Sequence, residues 1–142
     1  MAGAGYPVPM LDRARLEVVT HAALRIVAGF AFSLHGMQKI FGVLTTRSGP
    51  EIWTQTWFGG VIELVCGVMV ALGLFTRQAA FLASGTMAVA YIQFHWKGQL
   101  GAGLLPIVNG GELALVYCFL FLWFAVRGSG PVSIDRLVGR AA

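Results

Sequence analysis

Charged side chains are scarce in this sequence, and so are cysteines. Of its 142 residues, ten are Lys or Arg and six are Asp or Glu, so only 11% are charged, against about 25% in soluble domains. The basic residues are scattered singly, which argues against a nucleic-acid partner despite a pI near 9.6. Cys66 and Cys118 form no CxxC pair, which excludes a disulfide-stapled mini-domain and a thiol–disulfide oxidoreductase.

Apolar residues fill most of the chain. They make up 57% of it, and the mean hydropathy is +0.75. A helix that crosses a bilayer needs about 20 largely apolar residues, and four windows come close to that length: residues 21–41, 59–75, 78–95 and 110–126. Little of the chain remains for a soluble domain. We therefore predict an all-α membrane protein, a single domain over residues 1–142 built as a four-transmembrane-helix bundle.

The distribution of basic residues among the connections predicts the orientation. If the N-terminus lies in the cytoplasm, the basic residues on the outer side are Lys39, Arg47 and Lys97. Twice as many then lie on the inner side: Arg13, Arg15, Arg77, Arg127, Arg136 and Arg140. Cytoplasmic connections carry the excess of Lys and Arg. Both termini are therefore predicted to be cytoplasmic, and the protein to lie in a bacterial-type plasma (inner) membrane.

Polar side chains recur near the ends of the predicted spans. Ionisable groups inside a spanning helix cost roughly 2.5–3.5 kcal/mol each on insertion scales and usually face the bundle interior. In the predicted topology, the residues at the outer level are His35, Lys39, Glu63, Tyr91, His95, Asn109 and Glu112. Glu63 also shares a helical stripe with the small residues Gly60, Gly67 and Ala71. Because small residues permit close helix contact in lipid, Glu63 should face a neighbouring helix.

Predicted roles for these residues follow from their chemistry. The titratable groups assigned a catalytic role, as proton acceptors or hydrogen-bond partners, are Glu63, Glu112, His35 and His95. The residues assigned to ligand binding are Lys39, Tyr91, Asn109 and Arg25. Arg25 lies near the inner end of the first span, where such a side chain more often reaches towards the interface. The alternative interpretation of the whole layer is a structural clamp that holds the helices together.

Histidines at one level also raise the question of haem or metal binding. His35 and His95 have similar predicted depths, as two axial haem ligands require, but Lys39 and two glutamates would crowd an apolar macrocycle. A metal site formed by His35, His95, Glu63 and Glu112 has suitable ligand types, although no motif spacing supports it. We therefore expect neither haem nor a metal ion.

Several patches of the chain, in order, resemble the DoxX family of small four-helix membrane proteins. Over about residues 20–137 they are RxxxG from Arg25, HGxxKxFG from His35, LGLFTRxAA from Leu72, PxxNGGExA from Pro106 and GxGxxSxD from Gly128. The resemblance implies a four-helix fold and an association with membrane redox chemistry. One related branch serves as a subunit of thiosulfate:quinone oxidoreductase, and others are partners in membrane oxidoreductase complexes. The resemblance implies no agreed set of catalytic residues.

Three functional hypotheses remain open from the sequence. The leading one is a membrane subunit of a quinone-linked oxidoreductase, in which the outer polar layer binds a quinone head group and handles its protons. It requires a membrane or soluble redox protein as partner, or a small reductant, because the chain contains no recognisable electron carrier; a homo-oligomer is compatible with it. The alternatives are a non-catalytic membrane anchor or assembly protein and a small transporter or channel subunit.

Overall fold

The chain folds into a bundle of helices. The computed structural model describes residues 12–46 and 49–140, and every regular element within them is helical. The α-helices are α1 (Arg13–Phe41), α2 (Gln55–Leu72), α3 (Thr76–Ala90), α4 (Pro106–Asn109), α5 (Glu112–Arg127) and α6 (Ile134–Leu137). Helix α3 continues into a π-helical segment, Tyr91–Trp96, and a 3₁₀ turn, Gly101–Leu104, precedes α4. The predicted all-helical class is confirmed.

Helices α1 and α2 are long and apolar enough to cross a membrane. Helix α1 begins at Arg13 rather than at residue 21, because an Asp12 carboxylate oxygen accepts a hydrogen bond from the backbone N–H of Ala14 and starts the helix ahead of its apolar part. Helices α3 and α5 are shorter, with 15 and 16 residues. Arg47, which contributes to the predicted orientation, lies outside the described residues.

Helices α1 and α2 pack backbone to backbone through glycine. A Cβ atom added to Gly29 would lie 2.6 Å from the carbonyl oxygen of Gly67, and one added to Gly36 would lie 2.6 Å from the carbonyl oxygen of Gly60. Neither distance leaves room for a side chain. The prediction that the small-residue stripe of α2 faces a neighbouring helix is therefore confirmed, and that neighbour is α1.

Replacing Gly36 with alanine is expected to destabilise the protein by about 1–3 kcal/mol, because the new methyl group meets the backbone of α2 and the helices must move apart. Gly85 on α3 is the matched control, since an added Cβ there meets nothing within 4 Å. Gly85→Ala should leave the protein unchanged or slightly stabilise it. Thermal unfolding in detergent compares the two variants, and equal melting temperatures would contradict the close packing.

The turn between α2 and α3 is held by residues from distant parts of the chain. The Asp135 carboxylate accepts hydrogen bonds from the backbone N–H groups of Phe75 (2.9 Å) and Thr76 (3.1 Å), where α3 begins. Phe75 has a positive φ of 46°, a conformation unusual for a residue with a side chain. The segment after α5 thus folds back onto this turn and caps α3 from outside the helix.

The interior of the bundle is built from alanine on one side and aromatic rings on the other. Helix α3 contributes Ala80 and Ala83, whose small side chains are fully buried. Helix α5 contributes Phe121 and Phe124, also fully buried, and the ring of Phe121 lies 4.6 Å from that of Phe32 on α1, centroid to centroid. Large rings fill the space that the alanines leave, so α1, α3 and α5 share one apolar core.

Candidate functional site

A buried carboxylate and a lysine ammonium form an ion pair near the C-terminal end of α1. Lys39 Nζ on α1 donates a hydrogen bond to Glu63 Oε1 on α2 at 2.5 Å. The Glu63 side chain is only 3% exposed, whereas that of Lys39 is 34% exposed. The second carboxylate oxygen of Glu63, Oε2, is buried and has no hydrogen-bond partner among the described residues. Such an atom is costly to bury unless a ligand or water reaches it.

The glycine packing of α1 and α2 makes this ion pair possible. A Cβ atom added to Gly60 would lie 2.7 Å from the Cβ of Lys39, so the lysine stem crosses α2 at a residue without a side chain. Glu63 follows Gly60 by one helical turn and therefore lies where the lysine side chain ends. The small-residue stripe thus sets the position of the ammonium group as well as the distance between the helices.

Two cavities meet at the ion pair. Both are lined by Lys39, Glu63, Met87, Ala90 and His95. The α2/α3 cavity has a volume of about 270 Å³, and its further lining residues are Gln55, Thr56, Gly59, Thr86, Val89 and Phe94. The α1/α5 cavity has a volume of about 210 Å³, and its further lining residues are Phe32, His35, Gly110, Leu113, Ala114 and Tyr117. The two cavities therefore flank one charged pair within mostly apolar walls.

Both histidines of the predicted layer lie at these cavities. His95 belongs to the π-helical segment, a type of helix distortion that is frequent at functional sites. Its Nδ1 lies 3.4 Å from the backbone carbonyl oxygen of Asn109. His35 contacts the ring of Tyr117 edge-on, with the ring centroids 6.2 Å apart. The structure thus brings together Glu63, Lys39, His35 and His95, which the sequence analysis placed at one level.

Glu112 is not part of this arrangement. It begins α5 at the same end of the bundle, but its side chain is exposed and lines neither cavity. The face of α5 that lines the α1/α5 cavity carries Leu113, Ala114 and Tyr117. Adjacent helix positions differ in direction by about 100°, so Glu112 points away from that face. The expectation that Glu112 joins the shared polar layer is therefore corrected.

Tyr91 and Asn109 are joined to each other and to the loop before α5, and neither lines the α2/α3 or the α1/α5 cavity. The Asn109 side-chain amide donates to the carbonyl oxygen of Gly103 at 3.1 Å and accepts from the backbone N–H of Gly111 at 2.8 Å. The Tyr91 hydroxyl donates to the carbonyl oxygen of Leu104 at 3.3 Å. These hydrogen bonds hold the chain that leads into α5, so the structure places both residues in support of the site rather than in it.

Arg25 lies at the opposite end of the bundle and is 1% exposed. Its guanidinium donates to the carbonyl oxygens of Val70, Ala71 and Val132. The first two belong to the last turn of α2, and the carbonyl oxygen of Val70 also accepts a hydrogen bond from the backbone N–H of Gly73. Arg25 therefore completes α2 and ties it to the segment after α5. The prediction that Arg25 lies near the inner end of the first span agrees with this position, but its guanidinium is bound by backbone carbonyls, and its predicted role in ligand binding is corrected.

The cavity residues that were absent from the sequence-based site include a buried tyrosine and a buried methionine. Tyr117, 8% exposed, and Met87, 7% exposed, line the α1/α5 cavity with Glu63. Tyr117 lies three positions after Ala114, a helical spacing that could have predicted the inward face of α5. Met87 carries no comparable signal in the sequence, because its apolar side chain resembles any other core residue.

The polar groups at the cavities are suited to hydrogen bonding. Among the described residues, no group of three or more His, Cys, Asp or Glu side chains is placed to hold a metal ion. Lys39 offers an ammonium donor, Glu63 a carboxylate acceptor, and His35 and His95 ring nitrogens that serve in either role. These groups suit a small, mainly apolar ligand that carries both donor and acceptor atoms.

The fold and the site define a helical membrane protein with a polar cavity between its helices. A family model described as DoxX matches residues 20–96, and the chain belongs to the DoxX family. The predicted family is confirmed. No solved structure gives a significant match to the chain.

Similar proteins occur in several bacteria. A protein of Haemophilus influenzae named "Uncharacterized protein" is 44% identical, with the match covering 81% of this chain and 87% of that one. The "Inner membrane protein YphA" of Escherichia coli is 27% identical over 94% of this chain and 93% of its own. The "Putative oxidoreductase CatD" of Bacillus subtilis is 28% identical over 81% and 84%. The name of the Escherichia coli relative supports a place in a bacterial membrane.

Proposed function

We propose that this protein is a membrane subunit of a quinone-linked oxidoreductase and that the Lys39–Glu63 cavities bind the quinol head group. The observation that carries the proposal is the buried, unpartnered Oε2 atom of Glu63. An ionised carboxylate only accepts hydrogen bonds, so a ligand that satisfies Oε2 must bring a donor. A quinol hydroxyl is such a donor, and it carries the proton that must leave when the quinol is oxidised.

The donors around Glu63 suit the other oxygen atoms of the same ligand. Lys39 donates its hydrogen bond to Oε1 of Glu63, which leaves Oε2 for the ligand. His95 lines both cavities and His35 one of them, so either imidazole is available to donate to a carbonyl or accept from a hydroxyl. A carboxylate beside two imidazoles is a chemically reasonable path for protons released from a quinol.

The size and the lining of the cavities support a ring head group on an apolar tail. Each cavity is smaller than the roughly 300–1,000 Å³ of sites that enclose a whole drug-sized ligand. Val89 and Phe94, which line the α2/α3 cavity, are 43% and 48% exposed on the outer surface of the bundle. An isoprenoid tail could leave the cavity along these residues and remain in the lipid.

We propose that electrons pass between the bound quinol and one of two partners. The partner is either a protein that carries flavin, haem or a metal, or a small redox substrate. Oxidation of a quinol releases two electrons and two protons. The carboxylate and imidazole groups at these cavities are of types that accept protons. The word oxidoreductase in the name of the Bacillus subtilis relative supports this assignment.

The proposal includes a four-span topology with both termini in the cytoplasm. Helices α1 and α2 have the length for two spans. The third span would be α3 with its π-helical continuation to Trp96, and the fourth would be α5. This orientation follows the excess of arginine at the end of the bundle that carries Arg77 and Arg127. It places the Lys39–Glu63 pair towards the outer surface.

Binding of a short-chain benzoquinol to the protein in nanodiscs tests the proposed function. Quenching of tryptophan fluorescence reports the dissociation constant, and the dimethyl ether of the same quinol is the matched ligand because it lacks the hydroxyl donors. We expect the quinol to bind at least roughly tenfold more tightly, as a hydrogen bond to a buried charged group is worth about 1.5–3 kcal/mol. Equal affinities, or no binding of either ligand, would contradict the proposal and favour the anchor or assembly hypothesis.

A further inference from the structure

We infer a second ligand site at the opposite end of the bundle, where a groove between α1, α5 and the segment after α5 binds the phosphate of an anionic phospholipid. The groove consists of two adjoining cavities of about 420 and 630 Å³. Both are lined by Glu17, His21 and Arg127. We call it the arginine groove. It has no residue in common with the Lys39–Glu63 cavities and does not depend on the proposed quinol site.

The charge of the arginine groove favours an anion. Its charged lining residues are Arg13, Arg127, Arg136 and a single acid, Glu17. Glu17 already pairs with Arg13, whose Nε lies 3.4 Å from the Glu17 carboxylate. In the part of the chain that the structure describes, no carboxylate lies within salt-bridge distance of Arg127 or Arg136. Two guanidinium groups are therefore available to a phosphate, for which the planar fork of arginine is well suited.

The floor of the groove is aromatic and closely packed. The His21 ring contacts Trp123 and Phe124 of α5, with centroid distances of 5.1 and 5.7 Å. A Cβ atom added to Gly130 would lie 2.7 Å from the Cδ2 atom of His21, so the chain after α5 passes directly over this ring. Arg127, the last residue of α5, precedes this contact in the chain, and Arg136 on α6 follows it. Their backbones are thus held in place before a ligand binds, which lowers the entropy cost of binding.

An apolar wall distinguishes a lipid from a soluble anion. Leu16, Leu24 and Trp123 line one side of the groove, and all three are 42–45% exposed. They follow α1 and α5 from the arginines towards the apolar middle of the bundle. A phospholipid can place its phosphate at the arginines and an acyl chain along these side chains, whereas free phosphate would contact only the arginines. Basic pockets between membrane helices commonly bind anionic head groups in this way.

Native mass spectrometry of the full chain in detergent tests the inference, with phosphatidylglycerol and phosphatidylcholine offered at equal concentration. We expect the wild type to retain phosphatidylglycerol with at least roughly tenfold preference, because each arginine contributes about a fivefold gain for an anionic head group, whereas the choline cation of phosphatidylcholine cancels the charge of its phosphate. The double variant Arg127→Gln/Arg136→Gln should lose this preference. Arg136→Gln alone should reduce it by roughly fivefold. Because Arg136 is at an exposed position of α6, this single variant tests the inference even if the double variant folds poorly.

Arg15→Gln is the matched control, because Arg15 lies on the same part of α1 and lines neither cavity of the groove. It should keep the wild-type preference. An excess of inorganic phosphate should displace little phosphatidylglycerol if the site recognises the lipid. Three outcomes would overturn the inference: equal retention of the two lipids by the wild type, an equal loss in Arg15→Gln, or full displacement by inorganic phosphate.

Discussion

Glu63→Gln is expected to weaken quinol binding by at least roughly tenfold while changing the affinity for the corresponding quinone much less. Glutamine has the size of glutamate, but it replaces a charged acceptor with a neutral amide. The quinol hydroxyl thereby loses a charge-assisted hydrogen bond worth about 1.5–3 kcal/mol. The quinone has no hydroxyl to donate, so the same substitution removes nothing comparable from it. Fluorescence titration of the protein in nanodiscs with the two redox forms measures both constants.

Glu112→Gln provides the comparison for this substitution. Both glutamates are at the same end of the bundle, yet Glu63 is buried beside two cavities and Glu112 is exposed and lines neither. We expect Glu112→Gln to change the quinol affinity less than about twofold, as is usual for exposed positions away from a site. If Glu112→Gln weakened binding as much as Glu63→Gln, both glutamates would belong to the site, as the sequence analysis predicted. The assignment of the site to the Lys39–Glu63 cavities alone would then be wrong.

Lys39→Met is expected to destabilise the protein by about 3 kcal/mol. The substitution keeps an apolar stem across Gly60 but removes the ammonium, so the Glu63 carboxylate stays buried without its partner. Loss of one member of a buried ion pair costs roughly 3–5 kcal/mol. The lower end applies because the Lys39 side chain is 34% exposed. Thermal or denaturant-induced unfolding in detergent measures the change, and Lys97→Met, at an exposed lysine, serves as the control.

The double variant Lys39→Met/Glu63→Met separates stability from function. Replacing a buried ion pair by apolar residues of similar size is often neutral or stabilising, so the double variant should recover most of the stability that Lys39→Met loses. It should not recover quinol binding, because the acceptor is absent. Recovery of both properties would show that the pair acts only as a structural clamp. A double variant as unstable as Lys39→Met would show that the cost does not arise from the unpaired carboxylate.

The part of the site on α1 and α2 could be predicted because local spacing determines it. His35 and Lys39 are four residues apart on α1, and Glu63 shares a stripe with the glycines of α2. Small residues at helical intervals specify both the contact face and the close approach of two helices. The level of His95 could likewise be predicted from the length of its helix. The π-helical distortion that carries His95 has no simple signal in the sequence.

The part of the site on α5 was less predictable. Glu112 lies at the predicted level, but the level of a residue does not determine its direction around the helix axis. The direction depends on how α5 is oriented at its first residue. That orientation is determined by the preceding segment, which consists of the π-helical segment, the 3₁₀ turn and the short helix α4. The hydrogen bonds of Asn109 hold this preceding segment in place. They join residues whose pairing the local sequence pattern does not specify.

The sequence by itself determined that the chain is helical and apolar and that the small-residue stripe of α2 faces a neighbouring helix, because composition and helical periodicity are local properties. Its motifs, taken in order, also indicated the family. Only the tertiary structure decided which polar groups share a cavity. It joined Lys39 to a buried Glu63, left Glu112 exposed, and assigned Arg25 to the carbonyls at the end of α2. Those outcomes depend on contacts between residues far apart in the chain, and such contacts follow from how whole helices rotate and pack.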